Sequence, residues 1–118
     1  MTFNELVRKN RTYRKFKQDM PVPETTLREL VDLARLAASG GNLQPLKYMT
    51  ACDPERNARI FATLAWAAYL KGWGGPGPGE RPAAYIIILH DTSISNAVGH
   101  DAGIAAQTIM LGAAECGL

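Results

Sequence analysis

Cysteine is scarce in this 118-residue chain, with only Cys52 and Cys116 present. The two stand far apart and form no CxxC or metal-type spacing, which excludes a disulfide framework and suits reduced thiols in a reducing compartment. Histidine is equally sparse: His90 and His100 are each followed by Asp, yet no HxxxH or HExxH spacing occurs, so no metal site is expected. Long apolar runs are missing too. The longest, Ala83 to Leu89, is far too short to span a bilayer, and the N-terminus carries charge where a signal peptide needs an apolar stretch. A cytoplasmic protein without a membrane partner is the expectation. No Ser/His/Asp or Cys/His arrangement suggests a placed nucleophile. The Gly74 to Gly79 stretch is no phosphate-binding loop, because Pro76 and Pro78 remove backbone donors and no Lys follows in a Walker pattern.

What is present is the composition of an ordinary folded domain, 47% hydrophobic and 20% charged, which at this length fits a single domain over residues 1–118. The net charge of +2 conceals an asymmetry. Six of the 13 Lys and Arg residues fall between Arg8 and Lys17 with no acidic residue among them, leaving seven basic against 11 acidic residues elsewhere. That short segment carries the positive potential, which suits a nucleic acid, an acidic membrane surface or the phosphate of a small ligand.

Thr2 and Glu5 have capping-box spacing, and Phe3, Leu6 and Val7 share a face, which predicts a first helix to about Asn10. Leu27, Leu30, Val31 and Ala34 repeat at helical spacing opposite Arg28, Asp32 and Arg35, predicting a second helix that ends near Ala38 before Gly40 and Gly41. Leu46 to Cys52 reads as a strand. Asp53 and Pro54 suit the cap and first position of a third helix, with Ile60, Phe61, Leu64 and Ala68 as its buried stripe. Gly72 to Pro82 is a loop, read as a mobile lid or a plain connection, and Tyr85 to Leu89 reads as a central strand covered on both sides. Ser95 or Asn96 can cap a last Gly/Ala-rich helix that stops at Gly117. Two strands alone make a marginal ribbon unless more strands or another chain complete it.

Three groups can carry chemistry. The first is Asn10 to Phe16, in which Arg11 and Arg14 flank Thr12 where the first helix ends. Guanidiniums bind phosphate oxygens in a bidentate way, although a solvated basic face is the plainer reading. The second, Ser39 to Pro45, includes Asn42 and Gln44, whose amides suit the edge of a heterocycle bearing C=O and N–H groups; turn chemistry alone also accounts for them. The third is Asp101, Gly103, Ala105, Ala106, Gln107 and Leu111, where Gly99 and Gly103 let a helix or planar ligand come close.

Together and in this order, the three groups resemble the nitroreductase family of flavin oxidoreductases. Arg11, Thr12, Arg14 and Phe16 look like its Arg-Ser-x-Arg-x-Phe signature; Ser39, Asn42, Gln44 and Pro45 are similar to its Pro-Ser-x-x-Asn-x-Gln-Pro; the last helix follows its Asp-x-Gly-x-Ala-x-Gln pattern. Ala38 stands in place of the usual Pro, Asn10 where many members have Arg, and Thr108 where many have Asn. The resemblance implies an α+β fold with helices around a central, mainly antiparallel sheet, incomplete at the C-terminus, since members continue past Gly117 and Leu118. It implies a homodimer with FMN at its interface, the phosphate held by Arg11, Thr12 and Arg14, and the ring contacted by Ser39, Asn42 and Gln44 of the other subunit. NAD(P)H would reduce the flavin and a nitro, quinone or related acceptor would reoxidise it, so that no protein nucleophile is required. Trp73, flanked by Gly72 and Gly74, is the residue expected to wall the acceptor pocket. A different class stays open: a flavin-sequestering protein without turnover, or a small nucleic-acid-binding module using Arg8 to Lys17.

Overall fold

The structure is a computed structural model and describes residues 1–97 and 99–118. Its elements follow the order expected from the sequence: α1 (Phe3–Lys9), α2 (Glu24–Arg35), β1 (Leu46–Ala51), α3 (Pro54–Phe61), β2 (Tyr85–His90) and α4 (Asp101–Glu115), with a short 3-10 turn at Gly40–Asn42. The two strands pair antiparallel, Leu46 opposite His90 and Ala51 opposite Tyr85. This is the α+β arrangement with an antiparallel sheet.

Local chemistry sets the helix starts. At α1 the capping box forms in full, with the Glu5 N–H donating to Thr2 Oγ1 and the Thr2 N–H donating to the Glu5 carboxylate at 2.7 Å. At α3, Asp53 accepts from the Arg56 N–H at 3.0 Å and Pro54 occupies the first helical position, where a missing N–H costs nothing. The amphipathic α2 packs on α4, with Leu30 and Leu33 against Gly112; the buried residues are Leu27, Leu30 and Ala34 of α2 and Ala105, Gly112 and Ala114 of α4. Most of these are small side chains, so the two backbones come close.

Three expectations are corrected. The α2 helix ends at Arg35 rather than near Ala38, because Leu36 and Ala37 turn back onto the Leu33 and Ala34 carbonyls in tight i→i+3 bonds. The third helix stops at Phe61, short of Leu64 and Ala68. Thr63 takes both its N–H and its hydroxyl to the Ile60 carbonyl, Ala67 sits at φ +30°, and Leu64 is exposed. The last helix begins at Asp101, not at Ser95 or Asn96. Ser95 is used by a turn that Asp91 organises, and its carbonyl meets His90 Nε2 at 2.6 Å.

The core is thin. Its buried hydrophobic members are Leu27, Leu30, Ala34, Ala51, Ala105 and Ala114, and among the described residues no large side chain is fully enclosed. Phe3, Val7, Met49, Leu89, Ile104 and Met110 remain exposed, and the β2 side chains expected under two layers are at best half-buried. The radius of gyration is 15.2 Å, against roughly 13.5 Å for a self-sufficient domain of this length. Apolar faces of α1, β1 and α4 therefore lack a cover among the described residues.

Candidate functional site

Asn10 leaves α1 in an extended conformation, and Arg11 Nη1 caps the helix end by donating to the Val7 and Asn10 carbonyls at 3.2 and 2.7 Å. Arg14 lies with its guanidinium carbon 5.1 Å from the centroid of the Tyr69 ring, a cation–π placement. Among the described residues neither guanidinium is paired with a carboxylate, so both charges are uncommitted to any acidic partner. Thr12 between them is exposed. The other basic residues nearby are directed elsewhere: Arg8 donates to Asn4, Lys9 to the Ala114 carbonyl at 2.9 Å, and Lys15 approaches Glu80.

The segment after the arginines is fastened to the Gly/Pro loop. Phe16 N–H donates to the Glu80 carbonyl at 2.8 Å, Gln18 N–H to the Gly79 carbonyl, and the Gln18 side-chain oxygen accepts from the Gly79 and Arg81 N–H groups. The other end of the loop rests on aromatic rings. Trp66 contacts Phe16, Phe61 and Trp73, and Arg81 stacks 4.2 Å over Phe61. Gly75, at φ +106°, passes so near Trp66 that a Cβ there would lie 2.7 Å from the indole. Trp73 is thus half-buried in this cluster, its ring centroid 6.4 Å from that of Trp66.

The second group forms a compact loop. Gly41, Asn42 and Gln44 all adopt positive φ, at +57°, +53° and +51°. Gln44 Nε2 donates to Asn42 Oδ1 at 2.8 Å, which leaves the Asn42 amide nitrogen and the Gln44 carbonyl oxygen for something outside the loop. Ser39 does something different. Its hydroxyl donates to Asp101 Oδ2 at 2.5 Å and accepts from the Gln44 N–H at 3.0 Å, while the Gly40 N–H donates to Asp101 Oδ1 at 2.9 Å. Those bonds, the Ser39 hydroxyl first, hold the Asp101 carboxyl below its ordinary range. Asp101, placed by its sequence in the third group without a role, is therefore bonded to the second group.

The first and second groups are not brought together within the chain. Lys9, next to the arginine segment, touches Ala114 near the C-terminal end of α4, whereas Ser39 and Gly40 touch Asp101 at its first residue. Those anchor points are about 20 Å apart along the helix. The ribbon repeats the separation: the Asn42 loop leads into Leu46 opposite His90, while Phe16 packs near Phe61 and Trp66, beyond the Ala51–Tyr85 end. Between the two ends, α4 exposes Gly103, Ile104 and Gln107 beside His100 and Thr108 in a shallow groove.

The fold and the order of the three groups are those of an α+β domain similar to the nitroreductases. Residues 7–77 match the family model described as the Nitroreductase family, and the chain belongs to that family. It is 33% identical over 84 residues to a candidate NADH dehydrogenase/NAD(P)H nitroreductase of Caulobacter sp. (strain K31), covering 71% of this chain and 40% of that protein. A nitroreductase family protein of Clostridium difficile 630 superposes with a TM-score of 0.71 at 26% identity, over 99% of this chain and 64% of its own. An FMN-dependent nitroreductase of Clostridium difficile R20291 gives 0.72 at 25%, over 95% of this chain and 60% of its own. The chain thus spans two fifths of the curated relative and somewhat under two thirds of these solved structures.

Proposed function

We propose that the chain forms the flavin-binding part of an FMN-dependent NAD(P)H oxidoreductase that acts as a homodimer in the cytoplasm on a nitro, quinone or related electron-poor acceptor. The observation that supports the reading is that the arginine segment and the Asn42 loop lie at opposite ends of α4. One end presents two guanidiniums with no acidic partner among the described residues, the other the Asn42 amide nitrogen and the Gln44 amide oxygen left over from their mutual bond. A two-fold axis that sets the arginine end of one chain against the Asn42 loop of its partner would complete two identical sites at once. The exposed apolar faces and the small residues of α4 support such an approach.

The residues fit the cofactor. Arg11, Arg14 and the Thr12 hydroxyl would hold the phosphate and the ribityl end, since two guanidiniums and a hydroxyl match a dianion. Asn42 and Gln44 of the other subunit would meet the ring edge with one amide donor and one amide acceptor. When bound, FMN would supply the redox chemistry between NAD(P)H and the acceptor. The protein's part is orientation, and Trp73 beside the Gly/Pro loop would limit which acceptors fit. The scattered partners of Arg8, Lys9 and Lys15 favour a small anion over a track for a polyanion.

The test mixes two separately inactive variants, Arg14→Ala and Asn42→Ala, by unfolding and refolding them together. In a mixed dimer one site collects both defects and the other collects neither. Random pairing then restores about a quarter of the wild-type activity, because half the dimers are mixed and each has one intact site. Mixed dimers confirmed by mass that stay inactive would refute the shared site. A yellow wild-type protein that NAD(P)H does not bleach under anaerobic conditions would be a flavin-sequestering protein instead.

A further inference from the structure

We infer that Asp101 is a positioning residue for Asn42 and Gln44, acting through Ser39 and Gly40 without touching the ring; the inference rests on the flavin reading above. The loop needs an external hold. Gln44 occupies left-handed backbone at φ +51°, which residues other than Gly and Asn rarely adopt, and it follows Asn42 at φ +53°. The bonds within the loop, Asn42 N–H to the Ser39 carbonyl and Leu43 N–H to the Gly40 carbonyl, close turns but attach them to nothing else. Attachment comes at two places: the Pro45 carbonyl accepts from the Asp91 N–H at 2.8 Å, and the Asp101 carboxylate accepts from Ser39 and Gly40. Through Ser39 the same carboxylate also reaches the Gln44 amide. The relay has a direction. An ionised carboxylate only accepts, so the Ser39 hydroxyl must donate to it, which leaves its oxygen free to accept from Gln44. Asp101→Asn can keep the Gly40 bond, but it turns an N–H toward Ser39, so the charge-assisted donation from the hydroxyl is lost even though the oxygen can still accept from Gln44. Asp101 sits on the first residue of α4, the element that also carries the groove between the arginine segment and the Asn42 loop. It therefore sets the Asn42 loop against the same helix that the arginine end reaches through Lys9.

The experiment compares FMN with riboflavin, which shares the ring and lacks the phosphate. Fluorescence titrations use the intact chain as wild type, Asp101→Asn, Ser39→Ala, the double variant and Arg14→Ala. Asp101→Asn and Ser39→Ala should each weaken both flavins by the same factor, about tenfold or more, as loss of a charge-assisted hydrogen bond implies. The double variant should be no worse than the poorer single one, because both changes remove the same donation from Ser39 to Asp101. Arg14→Ala should weaken FMN alone. Without flavin, amide exchange at Gly40 and Gln44 should accelerate in Asp101→Asn. Wild-type-like binding by Asp101→Asn, loss confined to FMN, or additive losses in the double variant would overturn the proposal. If Asp101→Asn fails to fold, Ser39→Ala decides, since it deletes one oxygen. Wild-type protein that binds neither flavin would refute the flavin reading, and unchanged amide exchange would then separately refute the positioning role.

Discussion

Two glycines of α4 ask opposite things of a methyl group, and replacing each with alanine separates core packing from helix propensity. Gly112 is buried against α2, where an added Cβ would lie 2.8 Å from Leu33 Cδ1 and 2.9 Å from Leu30 Cδ2. Leu33 is 41% exposed and can swing outward; Leu30 is 3% exposed and cannot. Overpacking of this kind costs about 1–3 kcal/mol, against a gain of about 1 kcal/mol for Ala over Gly in a helix interior. Gly112→Ala should therefore lose up to about 2 kcal/mol. At Gly103 nothing lies within 4 Å of the added methyl, so only the propensity gain remains and Gly103→Ala should be stabilising by up to about 1 kcal/mol. Urea denaturation at several protein concentrations reads both effects. It also reads a third one, since a methyl at Gly103 on a face that another chain covers should weaken self-association while the fold gains stability. A Gly112→Ala protein as stable as Gly103→Ala would refute the packing argument.

Acid should weaken the fold through Asp91, whose carboxyl is held well below its ordinary 3.8 by Lys47 Nζ at 2.7 Å and by the hydroxyl and N–H of Ser93. A depressed folded pKa contributes stability that is complete above the ordinary value and is lost as pH falls through the lowered one. The melting difference between wild type and Asp91→Asn should accordingly be constant from neutral pH to about 4 and shrink below it; a constant gap down to pH 2 would refute this. Trp73→Ala removes the edge contact to Trp66, worth about 0.5–1.5 kcal/mol, and should change the ratio of kcat/KM between a nitroaromatic and a quinone. An unchanged ratio would assign Trp73 to the aromatic cluster alone.

The parts of the fold that were legible in the sequence are those decided within a few residues. Thr2 with Glu5, Asp53 with Pro54, and the Leu27–Leu30–Ala34 stripe each carry their own structural reason, and each stands where it was expected. Boundaries decided at longer range were not legible. Ser95 has a capping side chain, but Asp91 and His90 claim its neighbourhood, and α4 starts later. Phe61 and Leu64 have helical spacing, yet Trp66 folds back onto Phe61 and ends the run. Within the candidate site, residue types suggested the arginine and amide groups. The Ser39–Asp101 bond joins residues 62 apart in sequence, which no local pattern encodes. That contact gives Ser39 a bond that fastens its loop to α4.

The Gly/Pro loop has a consequence for how chains of this kind can vary in length. Trp73 and Gly75 are seated on Trp66 at one end, while Gly79, Glu80 and Arg81 are bonded to the Phe16–Gln18 segment at the other. Around Gly77 and Pro78 the chain is open: a Cβ added at Gly77 would meet nothing within 4 Å, and the Gly77 carbonyl accepts from the nearby Glu80 N–H at 3.0 Å. Extra residues entering there would bulge outward and leave Arg14 where it is. The same residues entering at Gly79 or Glu80 would pull the Phe16 backbone with them and shift the arginine pair out of register. A loop that looks like the most permissive stretch of the sequence is thus permissive over two residues, and a tag, a linker or a graft belongs at that point.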